Sequence, residues 1–505
     1  MKKTTIIIAI FLTFYALILF TSCAGENKQA QPNIVFIFAD DQAYNTVGAY
    51  GNHEIKTPNL DRLAERGTAF THAFNMGAWG GAVCVASRAM LNTGRFVWNA
   101  HQYEDRQHEL ADEGKMWSQL MESAGYNTYM SGKWHVKTPA DSIFQNTLHI
   151  RPGMPSHFWN KSVHQKYNDS VKTDLLNIEE IMPFGYNRPK NLADTSWQPW
   201  DKKNGGYWKG GKHWSEVLGD DAITFIDKAS TKEDPFFMYL AFNAPHDPRQ
   251  APKEFVDMYP VEKIQVPSSF LPEYPEKDAI GCGRMLRDEA LAPFPRTEYS
   301  IKKLRQEYYA IISHMDSQIG RIIDHLKKSD QLENTYIIFT ADHGLAAGNH
   351  GLVGKQNMYD HSIRVPLFIV GPNVPENKKV EHDVYLQDVM ASTLDIAGLQ
   401  KPTYIEFNSL MPLISGQQTE SNYTEIYGCY LKDKQRMIRK DNYKLIVYPE
   451  SKTIKLFDLE NDPNEITDLS ADAQHQEKKK TLFYALVKLQ KEMNDPLDLE
   501  KIMKL

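Results

Sequence analysis

Residues 33–41 read NIVFIFADD. From Ile34 to Ala39 the run is apolar with no polar alternation, the mark of a strand covered on both faces, as in a parallel sheet lying between helices. The run stops on two aspartates. The pattern recurs down the chain. Residues 127–130 predict a strand ahead of Gly132, Lys133, Trp134 and His135, and residues 235–242, PFFMYLAF, predict one that runs into Asn243, Ala244, Pro245, His246 and Asp247. Residues 336–340 predict another, ending at Asp342 and His343, and residues 365–370 a further one. Helical signals alternate with these strands. Thr57 and Pro58 read as N-cap and first residue of a helix, NLDRLAER, closed by Gly67. Residues 116–124, 219–229 and 386–397 carry further helical patterns, the first and last stopped by Gly125 and Gly398. The longest covers residues 304–328, where Tyr308, Ile311, Ile312, Met315, Ile319, Ile322 and Leu326 form one apolar stripe. Strands alternating with helices predict an α/β fold, a large and mostly parallel sheet flanked by helices.

Two segments break that rhythm. Residues 141–212 show no clear period yet hold Trp159, Trp197, Trp200 and Trp208 among several Tyr and His. An insertion this long and aromatic predicts an ordered lid, a substrate-shaping element. Near the end, residues 437–440, 443–448 and 454–459 predict short strands and residues 474–492 a helix, together a smaller C-terminal subdomain of antiparallel sheet plus helix. With 505 residues, 24% charged and 42% hydrophobic, the chain is long enough for a large domain and a smaller one. A net charge of −7 offers nucleic acid no footing.

In an open parallel sheet, ligands bind beyond the carboxyl ends of the strands. Three predicted strands end there in polar residues: Asp40 with Asp41, His246, and Asp342 with His343. Singly, each reads as turn chemistry. Together, three carboxylates need a cation, and oxygen donors favour a hard one such as calcium or magnesium. Residues 77–95, GAWGGAVCVASRAMLNTGR, add a cysteine. Small residues lead to Cys84 at the start of a helix that Gly94 ends, a place that attracts negative charge, with Arg88 one turn on. Without that setting, a lone cysteine among Ala and Val is an ordinary small buried hydrophobe.

Cys84, Ala86 and Arg88 fit C-x-[PA]-x-R followed by Thr93-Gly94-Arg95, which resembles the sulfatase signature. The likeness continues through Asp40-Asp41, Gly132-Lys133-Trp134-His135, Ala244-Pro245-His246-Asp247-Pro248, Thr340-Ala341-Asp342-His343-Gly344 and Gly354-Lys355. Residues 457–465, FDLENDPNE, are similar to that family's small second domain. The resemblance implies an alkaline-phosphatase-like fold and a sulfuric ester hydrolase. It implies that a formylglycine-generating maturation enzyme oxidises Cys84 to Cα-formylglycine (3-oxoalanine). It also implies that Asp40, Asp41, Asp342, His343 and the modified Cys84 bind the metal, calcium ahead of magnesium. Ala86 stands where proline is commoner, and His343 where many relatives carry asparagine. Hydrated, the aldehyde is a geminal diol: one hydroxyl attacks sulfur in line, and the other, on deprotonation, expels sulfate. Arg88 and Lys133 are expected to hold the diol, and Lys133 and Lys355 to bear on the sulfate oxygens. His135 is the expected base of the elimination and His246 the acid for the leaving oxygen, both with imidazoles titrating near neutrality.

The implied substrate is a sulfated carbohydrate, because tryptophan and tyrosine faces in the insertion would pack on sugar rings. Choline sulfate or an aryl sulfate is the small-molecule alternative. A phosphoric or phosphonic ester hydrolase of the same superfamily is the enzymatic rival, and a non-catalytic binder of sulfated glycans the other. At the amino terminus, Lys2 and Lys3 precede an apolar run over residues 6–20, shorter than a membrane span and the length of a signal-peptide core. Phe20-Thr21-Ser22-Cys23 resembles a lipoprotein cleavage box with Phe in place of Leu. The expected organisation is a lipoprotein-type signal peptide (1–22), a leader (23–31), a catalytic domain (32–405) and the C-terminal subdomain (406–505). Lipid on Cys23 would tether the exported enzyme in the periplasm or at the cell surface of a bacterium, its one tie to membrane; cleavage without lipid is the alternative. Setting aside Cys23 and Cys84 leaves Cys282 and Cys429, so no disulfide framework is expected and their pairing is open.

Overall fold

The computed structural model describes residues 31–155, 161–173 and 181–503. The expected signal peptide, Cys23, nearly all of the leader, and Trp159 lie outside those residues. All of β1 (Asn33–Ala39) is buried, as its unbroken apolar run requires. The other strands follow as β2 (Thr68–Phe74), β3 (Gly77–Ala78), β4 (Asn127–Lys133), β5 (Asn146–Arg151), β6 (Phe236–Ala241) and β7 (Thr335–Ala341). Then come β8 (Arg364–Val370), β9 (Lys378–Val380), β10 (Val384–Tyr385), β11 (Ile426–Tyr430), β12 (Gln435–Lys440), β13 (Tyr443–Tyr448) and β14 (Thr453–Asp458).

The large sheet has the order β10-β2-β8-β7-β1-β6-β4-β5, with β9 beside β2. It is mostly parallel; β8 alone runs antiparallel to its neighbours β7 and β2. Register fixes the site. Ala39 lies opposite Ala341 on β7, Phe38 opposite Ala241 on β6, and Gly132 on β4 opposite the same Ala241. Asp40, Asp342, Lys133 and the loop after β6 therefore emerge side by side at the carboxyl edge. β4 runs further than residues 127–130, to Lys133, because Gly132 has φ 94° and a Cβ there would lie 1.9 Å from the Ala241 carbonyl oxygen. Glycine at that point lets the strand continue under β6.

The helix Glu298–Lys328 begins before its apolar period does, because Thr297 and Ser300 form a reciprocal cap, each side-chain oxygen accepting the other's N–H at 3.1 Å. Its stripe from Tyr308 to Leu326 is buried against the main core. The helix Val83–Thr93 ends at Gly94 with φ 69°, and every residue but Val85 is buried. Its Val83, Ala86, Ala89 and Met90 pack into a second core, while Leu91 belongs to the first.

That second core underlies a sheet of order β14-β13-β12-β11-β3. β11 to β14 are antiparallel and the helix Gln476–Glu492 packs on them, the expected C-terminal arrangement. β3 joins it from the main chain path, parallel to β11 with Gly77 opposite Cys429. Cys282 and Cys429 are both free.

The described part of residues 141–212 is less irregular than the sequence suggests. It opens with β5, an edge strand of the large sheet. Trp197 and Trp208 are buried, and the Trp197 ring lies 4.9 Å from the Arg188 guanidinium. These indoles hold the segment together and offer no platform to a sugar. The buried Tyr207 hydroxyl faces the carbonyl oxygens of Asn243 and His246 at 3.1 Å, so the insertion braces the loop after β6. Among the described residues no helix is long and apolar enough to cross a membrane.

Candidate active site

Asp40 and Asp342 are carried to the sheet edge by backbone bonds, Asp40 N–H to Ala244 O (3.0 Å) and Asp342 N–H to Ala39 O (3.1 Å). Asp41 sits between them in the left-handed region, φ 67°. Its N–H donates to Asp342 Oδ1 (3.1 Å), and its carbonyl accepts from the Tyr308 hydroxyl (2.5 Å), which in turn accepts from Ala43 N–H (3.0 Å). A strained residue needs surroundings that over-determine it, and Tyr308, legible in the sequence only as one rung of a stripe, supplies that hold.

Asp40, Asp41, Asp342 and Cys84 bring one donor atom each within 4.8 Å of one another, all buried. Cys84 Sγ is 3.3 Å from Asp40 Oδ1, 3.5 Å from Asp41 Oδ1 and 3.0 Å from Lys355 Nζ. Lys133 pairs with Asp40, and Lys355 reaches both Asp41 oxygens at 2.7 Å. Arg88 Nε donates to Asp342 Oδ2 and its Nη1 to the Lys133 carbonyl, each at 2.8 Å, over the Phe38 ring. In this structure Arg88 therefore grips a carboxylate, and its Nη2, buried with no hydrogen-bond partner, is left over for a group at position 84. His343 is not within the cluster of four. Its Nδ1 lies 3.1 Å from Gly344 O, and its buried Nε2 has no partner, which makes it a candidate extra donor.

The electrostatics separate the groups. Burial, then Asp342 and Asp41, raise the Asp40 carboxyl well above the usual range against the pull of Lys133. Burial would raise Asp342 too, but Arg88, Lys133 and Lys355 outweigh it and hold that carboxyl low. The Cys84 thiol is pushed well up, by burial first and then by Asp342 and Asp40. The helix N-terminus and Arg88 do not make it a thiolate, because burial and the carboxylates of Asp342 and Asp40 outweigh the pull of Lys133 and Lys355.

His135 has φ 59°, its ring lies against Gly153, and its buried Nδ1 has no partner. His246 Nδ1 is 2.7 Å from Asp247 O, and its Nε2 3.7 Å from Asp41 Oδ2. Neither imidazole titrates near neutrality. Burial and then Lys133 lower His135 to about 2; burial and then Lys355 lower His246 to about 4. Cys84, His135, His246 and Lys355 line one cleft of about 550 Å³. The structure thus gathers the sequence-derived residues at one edge, with His343 beside the cluster.

A family model described as Sulfatase matches residues 32–399. The chain belongs to the sulfatase family. It is a sulfuric ester hydrolase. A second model, for the C-terminal part of N-sulphoglucosamine sulphohydrolase, matches residues 348–492 of the sulfatase. The sulfatase is 27% identical to an arylsulfatase of Clostridium perfringens, covering 91% of this chain and 94% of that protein. It is 25% identical to an N-acetylglucosamine-6-O-sulfatase of Bacteroides thetaiotaomicron, covering 95% and 91%. Among solved structures, a protein in complex with its substrate D-glucosamine-2-N,6-O-disulfate superposes with a TM-score of 0.67 at 20% identity, covering 93% and 99%. A phosphonate monoester hydrolase from Silicibacter pomeroyi gives 0.69 at 20%, covering 92% and 96%. These two likenesses are of fold.

Proposed function

We propose that this sulfatase hydrolyses sulfate esters of polysaccharide-derived oligosaccharides, using formylglycine made from Cys84. One observation carries the reading: the Cys84 sulfur lies among Asp40, Asp41 and Lys355, where burial and carboxylates keep a thiol protonated. A protonated thiol is a poor nucleophile. An aldehyde hydrate at the same position would supply an alcohol nucleophile that needs no thiolate.

Three buried carboxylates, with the partnerless His343 Nε2 beside them, fit a hard divalent cation. Asp40, Asp41, Asp342 and His343 would hold it, calcium ahead of magnesium, and it would supply Lewis-acid polarisation. Arg88 keeps Asp342 ionised, and its Nη2 is the donor free for an oxygen at position 84. Lys133 and Lys355, both buried, neutralise charge on the sulfate oxygens. His135, neutral at rest, serves as base. His246, also neutral at rest, gains proton affinity from the anionic ester placed beside it and donates from Nε2 to the leaving oxygen.

The carbohydrate reading is supported by the sulfated amino sugars named for two of the similar proteins. Export through residues 1–22, a lipid anchor on Cys23, a division of the mature chain near residue 405, and maturation in trans are further parts of the proposal. Two measurements test its core. Peptide mass analysis of active protein should find aldehyde in place of the thiol at position 84; fully active protein with an intact thiol would overturn the scheme. A panel of sulfated mono- and oligosaccharides, choline and aryl sulfates and phosphonate monoesters, assayed for released anion, should favour a sulfated sugar, and Cys84→Ala should abolish that turnover without shifting the melt. Faster turnover of a phosphonate monoester would replace the reading.

A further inference from the structure

Residues 287–289, Arg-Asp-Glu, lie outside every motif of the signature, yet Arg287 and Asp288 line the cleft and Glu289 holds the backbone just before Lys355. Arg287 Nη1 donates to Asp247 Oδ2 (2.7 Å) and to the Tyr186 hydroxyl (2.6 Å). Its Nη2 donates to Asp247 Oδ1 (3.1 Å) and pairs with Asp288. Asp247 is the residue whose carbonyl and carboxylate hold His246 Nδ1, at 2.7 and 3.2 Å. On the other side, Asp288 Oδ2 accepts from Gln356 Nε2 (2.6 Å), and Gln356 Oε1 accepts from Lys355 N–H (3.0 Å). Glu289, fully buried and paired with Arg296 at 2.6 Å, accepts from Gly354 N–H (2.8 Å) and Val353 N–H (3.0 Å).

Arg287 lines the cleft, where an arginine invites a reading as a substrate binder. Its donor inventory argues otherwise. Of the five N–H groups a guanidinium carries, the four terminal ones are all engaged by Asp247, Tyr186 and Asp288. A saturated fork of this kind fixes geometry.

We propose that Arg287, Asp288 and Glu289 form a positioning clamp that sets the spacing between the loop bearing His246 and the loop bearing Lys355. The inference rests on the proposed role of His246 as leaving-group acid. The two arms of the clamp then have different kinetic signatures. Loosening the Arg287 arm misplaces the acid, so the loss grows with the basicity of the leaving group. Loosening the Glu289 arm moves Lys355 off the sulfate, so all esters suffer alike.

The test is kcat/KM for a graded series of sulfate esters, from 4-nitrophenyl sulfate to a sugar sulfate, with Arg287→Met, Tyr186→Phe, Glu289→Gln and His246→Ala. Arg287→Met should lose roughly 10²-fold on the sugar ester and under about fivefold on the nitrophenyl ester, the pattern of lost acid catalysis. Tyr186→Phe, which keeps both charges and carries the test if Arg287→Met fails to fold, should lose in the same direction by less. Glu289→Gln should lower every ester equally, and Arg287→Met added to His246→Ala should steepen nothing. A steep dependence for His246→Ala beside a flat one for Arg287→Met and Tyr186→Phe overturns the clamp alone. A flat dependence for His246→Ala overturns the acid assignment, and the clamp with it.

Discussion

Replacing Arg88 with methionine keeps much of the side-chain volume and removes the counter-charge of Asp342. Both side chains are fully buried and joined at 2.8 Å, and Arg88 also holds the Lys133 carbonyl at 2.8 Å. Removing one partner of such a pair costs about 3–5 kcal/mol, because the other charge stays buried. Lys133 and Lys355 also act on Asp342, which places the loss toward the lower end. With an unfolding entropy of about 2.1 cal/mol/K per residue, a chain of 505 residues unfolds with roughly 1 kcal/mol/K. The variant should therefore melt about 3 °C below the parent in chelator. A divalent cation among Asp40, Asp41 and Asp342 would take over as counter-charge, so the gap should narrow when calcium is added. Calorimetry of both proteins, with chelator and with calcium, reads the effect. A gap under about 1 °C in chelator would show the pair to be weak, and a gap unchanged by calcium would refute a cation site on these carboxylates.

Tyr308→Phe should cost about 1–2 kcal/mol, since it strips a donor from Asp41 O and an acceptor from Ala43 N–H; a melt shows the loss, and turnover should fall with it as Asp41 leaves its strained conformation. In Gly153→Ala the new Cβ would meet the His135 ring at 2.4 Å. The ring must yield, so turnover should drop at least tenfold, roughly, while the melting temperature stays near that of the parent; equal activity would show that His135 does not act where it stands. Asp388 tests pH dependence away from the cleft. Burial raises its carboxyl to about 7 although Tyr423, Asn408 and Tyr385 donate to it. A group bound more tightly by protons in the folded state stabilises at low pH and loses that contribution as pH rises through the folded value. The parent should thus lose stability between about pH 4 and about pH 7, by up to about 1.4 kcal/mol per pH unit, and level off above that, and Asp388→Asn should flatten that slope; parallel slopes would contradict it.

What the sequence displays is governed by what each residue's own neighbours decide. The run before Asp40 marks a doubly covered strand, and equal strand ends in one parallel sheet bring Asp40, Asp342 and the loop of His246 together, so the cluster is legible before any coordinates. The direction of β8 is not, because an apolar run reads the same both ways. β3 has two residues and exists only because β11 lies beside it. Gly132 hides the end of β4, since a glycine reads as a break until the close approach of Ala241 explains it. The titration of His135 and His246 departs from the free imidazole because burial acts on both, with Lys133 two residues from His135 and Lys355, from a distant segment, on His246. The partners of Arg287 and Glu289 are likewise remote, at Asp247 and at the amides of Val353 and Gly354.

The pairing of β3 with β11 carries a consequence for the order of synthesis. Cys84 is 3% exposed, and the stretch just before it is stitched down by Cys429 N–H to Met76 O (3.0 Å) and Leu431 N–H to Ala78 O (2.9 Å). Ala78 and Cys429 are 351 positions apart. At about 5–20 residues per second, that separation is roughly 20–70 s of translation. For that interval the segment leading to position 84 has no partner strand, and under the proposed maturation this is when an enzyme acting in trans would reach it. On that proposal the carboxyl-terminal sheet would work as a delayed seal, since β11 is made long after the segment it pins beside position 84.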